Sequence, residues 1–305
     1  MNKTYKLGGH AVEVDHLDKP FFPDAGITKG DLIDAYRRLA DVMLPHMAGR
    51  PLSMERYPDG IGGGGFYQKE VPDYFPDWIE VVQIEVEEEN AEQPQVVCGD
   101  AATLVYLADQ GVITPHIWLS RVDHLNRPDK LIFDLDPPEG GFEIVRFAAR
   151  KLYDIFDEIG MRPYVMTTGS KGLHVVLPLE PEADFDEVRA FARQVAEALA
   201  ARYPDRLTTA PRKNKRKGRL FLDYLRNAYA QTSVTPYAVR ALPGAPVATP
   251  LDWDEVDDPD LGPRSYTLAN IFRRLGQKAD PWQGMFEGAA SLKEAQQRLG
   301  RQTNG

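Results

Sequence analysis

The sequence predicts an α/β (α+β) chain whose catalytic lobe has the split βαββαβ order shared by ferredoxin-like and RNA-recognition folds. Three observations predict it. Apolar runs over 131–136, 162–168, 173–179 and 219–225 read as strands. Residues 142–159 and 185–203 carry apolar side chains at helical spacing, beginning with Ile144, Val145, Phe147, Ala148 and Leu152. Only Gly169-Ser170-Lys171-Gly172 separates the second run from the third, a link short enough to demand an antiparallel hairpin. An N-terminal α/β lobe is expected over 1–125, the catalytic lobe packed on it over 126–245, and a C-terminal extension returning to the core over 246–305, all in one domain of 305 residues.

In the first lobe Thr28 is placed to cap a helix running to about His46, with Leu32, Ile33, Tyr36, Leu39, Ala40 and Met43 on its buried face. Lys19 and Lys29 flank Pro20-Phe21-Phe22-Pro23 and on composition alone are surface lysines. Residues 50–57 read as a strand turned by Pro58-Asp59-Gly60. Tyr57-Pro58-Asp59-Gly60 parallels the Lys-x-Asp-Gly motif of nucleotidyl ligases, but Tyr57 stands where the nucleophilic lysine would be, so the chain is not itself such a ligase. Four glycines, Gly62 to Gly65, deliver Phe66, Tyr67 and Lys69, aromatics beside a cation that can stack on bases, although an aromatic re-entering the core is the commoner reading. Residues 78–87 alternate as a strand paired with 95–98, and Asp100 caps a helix that Gly111 ends. His116 lies in an apolar strand, where a hydrogen-bonded core histidine is the ordinary reading.

The chemistry is concentrated where Lys130-Leu131-Ile132-Phe133 ends in Asp134-Leu135-Asp136 and Pro137-Pro138 forces the chain out of the sheet. With period two, the two acids share a face roughly 7 Å apart, and like charges so close repel unless a cation lies with them. In the βαββαβ fold the first strand has the third and fourth as neighbours, which brings His174 and Asp223 to the same face. Three carboxylates can hold two divalent ions, Mn²⁺ or Mg²⁺, roughly 4 Å apart for in-line phosphoryl displacement. Gly169-Ser170-Lys171-Gly172 offers a triphosphate free backbone N–H groups, a hydroxyl and a cation, without the spacing of a Walker loop. His174, Arg240 and the basic stretch 206–226 can add phosphate contacts. Two other readings fit part of this pattern: a haloacid-dehalogenase-like phosphatase with Asp134 as nucleophile, which needs a parallel sheet, and a non-catalytic RNA-recognition module, which gives the acids no purpose.

The composition, 43% apolar and 27% charged, is that of an ordinary globular protein. A single cysteine, Cys98, rules out an internal disulfide and a cysteine-built zinc site. The net charge of −10 argues superficially against nucleic acid, yet the signs are segregated: Arg206, Arg212, Lys213, Lys215, Arg216, Lys217, Arg219 and Arg226 face only Asp223 in their stretch, while acids gather at Glu80, Glu85, Glu87, Glu88, Glu89 and Glu92. With no signal-like or membrane-length apolar segment, a cytoplasmic, nucleoid-associated protein is expected.

Taken together, Phe133-Asp134-Leu135-Asp136-Pro137-Pro138, Thr168-Gly169-Ser170-Lys171-Gly172-Leu173-His174, Phe221 to Asn227, and Thr232-Ser233-Val234-Thr235-Pro236-Tyr237 leading to Arg240 resemble the polymerase domain of bacterial ligase D, within the archaeo-eukaryotic primase superfamily. The resemblance runs over nearly the whole chain. It implies a primase fold and a templated nucleotidyl transferase at broken DNA ends in non-homologous end joining, with manganese and ribonucleotides preferred over deoxyribonucleotides. It also implies Asp134, Asp136 and Asp223 as metal-binding catalytic acids, and Ser170, Lys171, Gly172, His174, Arg240 and His116 as contacts of the NTP or dNTP. Lys19 and Lys29 would hold the 5′-phosphate of a downstream strand, and Phe66 with Tyr67 would pack on the template. Arg216 and Arg219 would meet DNA, and Ku and ligase proteins would be partners.

Overall fold

The structure, a computed structural model, describes residues 2–86, 91–138 and 141–303, so that Glu87, Glu88 and Glu89 lie outside the described residues. Two units alternate along the chain. The first comprises Met1–Asp123, Thr232–Ala248 and Tyr266–Arg274; the second comprises His124–Gln231, Thr249–Ser265 and Leu275–Gly305. Residues 232–248, which contain Arg240, therefore group with the N-terminal unit.

The first unit is built on an antiparallel four-stranded sheet in the order Thr232–Val234, Val112–Trp118, Leu52–Arg56, Phe66–Gln68. The helix Lys29–Met47 starts where the sequence expects it, because Thr28 and Asp31 form a reciprocal capping box. All six of its expected core residues are buried. One of them, Tyr36, donates its hydroxyl to the Ile113 carbonyl and accepts from the Val239 N–H at 3.1 Å. Asp100 caps the helix Ala101–Asp109, and Gly111 beyond it takes the left-handed conformation (φ +78°) that stops the chain from continuing. The strand expected over 78–87 is observed as Val81–Val86, paired antiparallel with Ala91–Val96.

The second unit has a four-stranded antiparallel sheet in the order Lys130–Leu135, Leu173–Pro178, Tyr164–Thr167, Thr249–Leu251. Helices Glu143–Glu158 and Phe185–Arg202 pack on it through residues that include Val145, Leu152, Phe156, Val188 and Val195. A second capping box, Asp184 with Glu187, starts the longer of them. Phe133 meets Phe156 at 6.0 Å between ring centroids, which turns Phe133 and Leu135 toward the helices and Asp134 and Asp136 away from them. The first three expected strands and both helices are present. The fourth differs: only Leu220–Phe221 is a strand, paired parallel with Leu207–Thr208, and its expected alliance with the first strand is reduced to one antiparallel bridge, Asp134 with Asp223. The free side of the hairpin is instead extended by Thr249–Leu251.

Among the described residues no helix is long and apolar enough to cross a membrane.

Candidate active site

Asp134 is the midpoint of a row across the second unit's sheet. His174 is its register partner on one side and Asp223 on the other, and directly opposed residues present their side chains to the same face. The Asp134 N–H donates to the Asp223 carbonyl at 3.2 Å, His174 Nε2 lies 3.5 Å from Asp134 Oδ1, and Arg226 Nε lies 3.3 Å from Asp134 Oδ2. The first of the side-chain approaches is an electrostatic contact rather than a hydrogen bond. His174 Nδ1 is buried and makes no hydrogen bond among the described residues.

The three carboxyls differ in charge preference. Burial works to raise Asp134, but His174 and Arg226 outweigh it and hold the group below the usual carboxylate range. Asp136 is pushed up by burial and by the charge of Asp134. Asp223 is pushed up by burial too, with Asp134 adding to the rise and the Leu225 N–H opposing it. Burial first, and the charge of Asp134 added to it, thus make the other two acids reluctant to ionise, the charge balance of a carboxylate set short of positive charge. Among the described residues no group of three or more His, Cys, Asp or Glu side chains is gathered as a metal cage. The fit to a hard divalent ion therefore rests on the oxygen donors and on that charge deficit.

The turn after Thr168 departs from expectation in one respect. Its backbone N–H groups are not free: Ser170, Lys171 and Gly172 donate to the Thr168 hydroxyl oxygen at 3.3, 3.3 and 3.2 Å. Three donors on one oxygen share two lone pairs, which accounts for the long distances. Arg264 Nε adds a 2.9 Å bond to the Ser170 carbonyl, and Lys171 remains exposed. Gly172 is required by close approach, since a Cβ there would stand 2.8 Å from the Leu135 carbonyl carbon and 3.2 Å from Asp136 Oδ1.

In the first unit His116 belongs to a polar cluster. Its Nε2 faces Glu55 Oε2 at 3.4 Å, the Tyr57 hydroxyl donates to Glu55 Oε1 at 3.0 Å, and Tyr67 meets the imidazole edge-on at 5.6 Å. Burial works to raise Glu55, yet His116, Arg240 and Tyr57 together hold it below its usual range. Val239, next to Arg240, is held by Tyr36 and by a 2.8 Å bond from Thr114 Oγ1. Phe66 and Tyr67 are 48% and 62% exposed rather than folded into the core. Lys19 pairs with Asp59 at 2.5 Å. Lys29 is no ordinary surface lysine: its side chain is 7% exposed and lies 2.8 Å from both Asp15 and Asp109.

Arg216 and Arg219 hold their own loop together. Arg216 donates to the carbonyls of Ala210 and Pro211 and stacks over Phe221, and Arg219 donates to those of Pro204, Lys215 and Arg216. Carbonyls leave the positive charge uncompensated, so the loop keeps its sign. Sequence reasoning placed Arg226 in a basic run and in the 221–227 motif, and Thr168 at the head of the 168–174 motif, without giving either a role, and missed Glu55 as a site neighbour. For Arg226 the available signal was its place three residues after Asp223; for Glu55 it was the strand alternation that shares a face with residues 53 and 57.

The four-stranded sheet that carries Asp134 is antiparallel throughout, which removes the parallel framework that a haloacid-dehalogenase-like phosphatase requires. Residues 28–282 match the family model described as "LigD, primase-polymerase domain". The chain is 33% identical over 279 residues to the multifunctional non-homologous end joining protein LigD of Pseudomonas aeruginosa, covering 89% of this chain and 32% of that protein. It is 32% identical over 268 residues to the bifunctional LigD of Bacillus subtilis, covering 87% and 43% respectively. It thus spans well under half the length of these curated relatives. A solved structure, the polymerase domain from Mycobacterium tuberculosis ligase D in complex with DNA, superposes with a TM-score of 0.84 at 28% identity, covering 91% of this chain and 98% of that one. With that fold, this acid row and a family match across most of its length, the chain belongs to the LigD primase-polymerase domain family, a family of nucleotidyltransferases.

Proposed function

We propose that this chain is a DNA-templated nucleotidyl transferase that fills gaps and extends ends in non-homologous end joining, favouring ribonucleotides. The observation that carries the reading is the row Asp223–Asp134–His174, with Asp136 on the same face, in a member of a primase-polymerase family. Asp134, Asp136 and Asp223 would hold two divalent ions, Mn²⁺ or Mg²⁺, which supply charge neutralisation at the triphosphate and lower the pKa of the primer 3′-hydroxyl. The chain's own residues then position and bind. His174 and Arg226 keep Asp134 ionised, so one carboxylate is charged before any ion arrives. Lys171 and Ser170 are assigned to the triphosphate at the turn that Thr168 organises, with Gly172 admitting Asp136 beside it. His116 and Arg240 are assigned to the nucleotide, Phe66 and Tyr67 to template stacking, Lys19 and Lys29 to a 5′-phosphate, and Arg216 and Arg219 to DNA through the loop they hold. Ku and a ligase are the partners expected of such an activity.

The testing experiment is primer extension across a short gap with Mn²⁺, comparing NTP with dNTP and gaps with and without a 5′-phosphate. Wild-type extension that Asp134→Ala abolishes is expected, and normal extension by Asp134→Ala refutes the assignment. Failure of any extension by the wild type, with DNA still bound, would favour a binding module. Lys19→Ala should weaken binding selectively to gaps with a 5′-phosphate, and Lys29→Ala should do so in protein that melting shows to be folded, since that lysine also neutralises Asp109.

A further inference from the structure

The strand Lys130–Leu135 is closed on one side by Leu173–Pro178. Its other side is closed by two different devices. At Asp134 the main-chain N–H donates to the Asp223 carbonyl. In that antiparallel register, continuing the ladder would bring residue 225 opposite Ile132. Leu225 is not there: its N–H donates instead to Asp223 Oδ1 at 2.9 Å, and its side chain is 41% exposed.

The Asn227 carboxamide takes the vacated position. Its Oδ1 accepts from the Ile132 N–H at 2.8 Å, and its Nδ2 donates to the Ile132 carbonyl at 2.8 Å and to the Tyr224 carbonyl at 2.9 Å. One acceptor and one donor aimed at the two main-chain groups of a single residue reproduce what a partner strand's peptide groups would offer. Asn227 is 0% exposed, so water cannot take over either bond.

This substitution of side chain for strand has a geometric result. Along a continued strand, residues 224 and 226 would point away from the face that carries Asp223 and Asp134. Because the chain leaves the ladder directly after Asp223 and turns through 224–227, Arg226 comes back to within 3.3 Å of Asp134 Oδ2. One buried amide thereby fixes both the acid and the cation that flank Asp134.

We infer that Asn227 is a positioning residue for the carboxylate set, acting through Asp223 and Arg226 by standing in for the missing strand. The inference rests on the reading in which Asp134, Asp136 and Asp223 hold divalent ions. Its test uses the whole chain and Mn²⁺ alone, titrated with free Mn²⁺ read by electron paramagnetic resonance, alongside melting without metal. Asn227→Ala is expected to raise the Mn²⁺ dissociation constant by about tenfold or more. Trp282→Phe serves as the comparison, since it removes a buried hydrogen bond to the Val165 carbonyl, 3.1 Å long, in the same unit. It is expected to lower the melting temperature and leave Mn²⁺ affinity within about twofold of wild type.

Unchanged Mn²⁺ affinity in Asn227→Ala overturns the inference, and so does an equal loss in both variants, which a purely structural role predicts. If Asn227→Ala does not fold, Asn227→Ser is read by the same criterion, and failure of both to fold assigns the residue to folding alone and overturns the inference. Asp134→Ala separates the two levels. Wild type that binds no Mn²⁺, or Asp134→Ala that binds it normally, removes the underlying reading and this one with it. Binding lost in Asp134→Ala and kept in Asn227→Ala removes this one alone.

Discussion

Replacing Gly172 by alanine adds one methyl group where the turn after Thr168 presses on the end of the strand that carries the acids. The added carbon would overlap the Leu135 carbonyl oxygen and stand 2.8 Å from the carbonyl carbon, where ordinary contact begins at 3.4 Å. The carbon alone requires a retreat of 3.4 − 2.8 = 0.6 Å, and the oxygen requires more, so the backbone at residues 135–136 must give by about 1 Å. Both partners are main chain in a closed ladder, so no flexible side chain can absorb the shift. Overpacking of this kind costs about 1–3 kcal/mol, a fall of several degrees in melting temperature for a chain of this size. Asp136, whose Oδ1 is 3.2 Å from the added carbon, is displaced with the backbone. A displacement of about 1 Å at a reacting centre costs on the order of 100-fold in rate. Single-turnover primer extension should therefore fall about 100-fold in a protein that still melts cooperatively. Extension within about threefold of wild type would falsify the claim that this contact sets the position of Asp136.

Lys29→Ala should destabilise the chain by about 3 kcal/mol in urea unfolding, because it strands the Asp109 carboxylate, 8% exposed, without its cation; a change under about 0.5 kcal/mol would mark the lysine as an ordinary surface group. The Asp15 carboxyl is held at about 2, first by the hydrogen bond from Lys29 and then by His16. A folded value below the unfolded one means stability that is complete above about pH 4 and lost as the pH falls toward 2. Since Asp15 is half exposed, screening keeps this below about 1 kcal/mol, and Asp15→Asn should flatten that part of the acid unfolding profile. Phe66→Ala with Tyr67→Ala should weaken binding of gapped DNA by about 1–3 kcal/mol per stacked base while leaving the melting temperature nearly unchanged, as both rings face solvent; unaltered DNA affinity would remove them from the interface.

The βαββαβ frame was legible because it is written in periodicity. Helical spacing over 142–159 and 185–203 and a four-residue link that only a hairpin can use all act locally. The placement of His174 beside Asp134 followed from topology and is observed in the register. The fourth strand could not be read correctly from its apolar residues, because a side chain four residues beyond Asp223 takes the place of its later pairing. The occupied N–H groups of the 169–172 turn were equally hidden. Nothing in Gly-Ser-Lys-Gly reveals that the preceding threonine turns its hydroxyl into their midst. Lys29 looked like a surface lysine because the two acids that bury its charge, Asp15 and Asp109, are distant in sequence.

The six segments into which the two units divide mean that the polypeptide passes from one to the other five times. Neither half can be excised by a single cut. A fragment ending near residue 123 would lack Thr232–Val234 and leave Val112–Trp118 with a bare row of main-chain donors and acceptors along one side. Such an exposed margin recruits other chains. Folding of the N-terminal half must accordingly await residues made much later in synthesis, and truncation mapping of its activities will report clumping rather than loss of function.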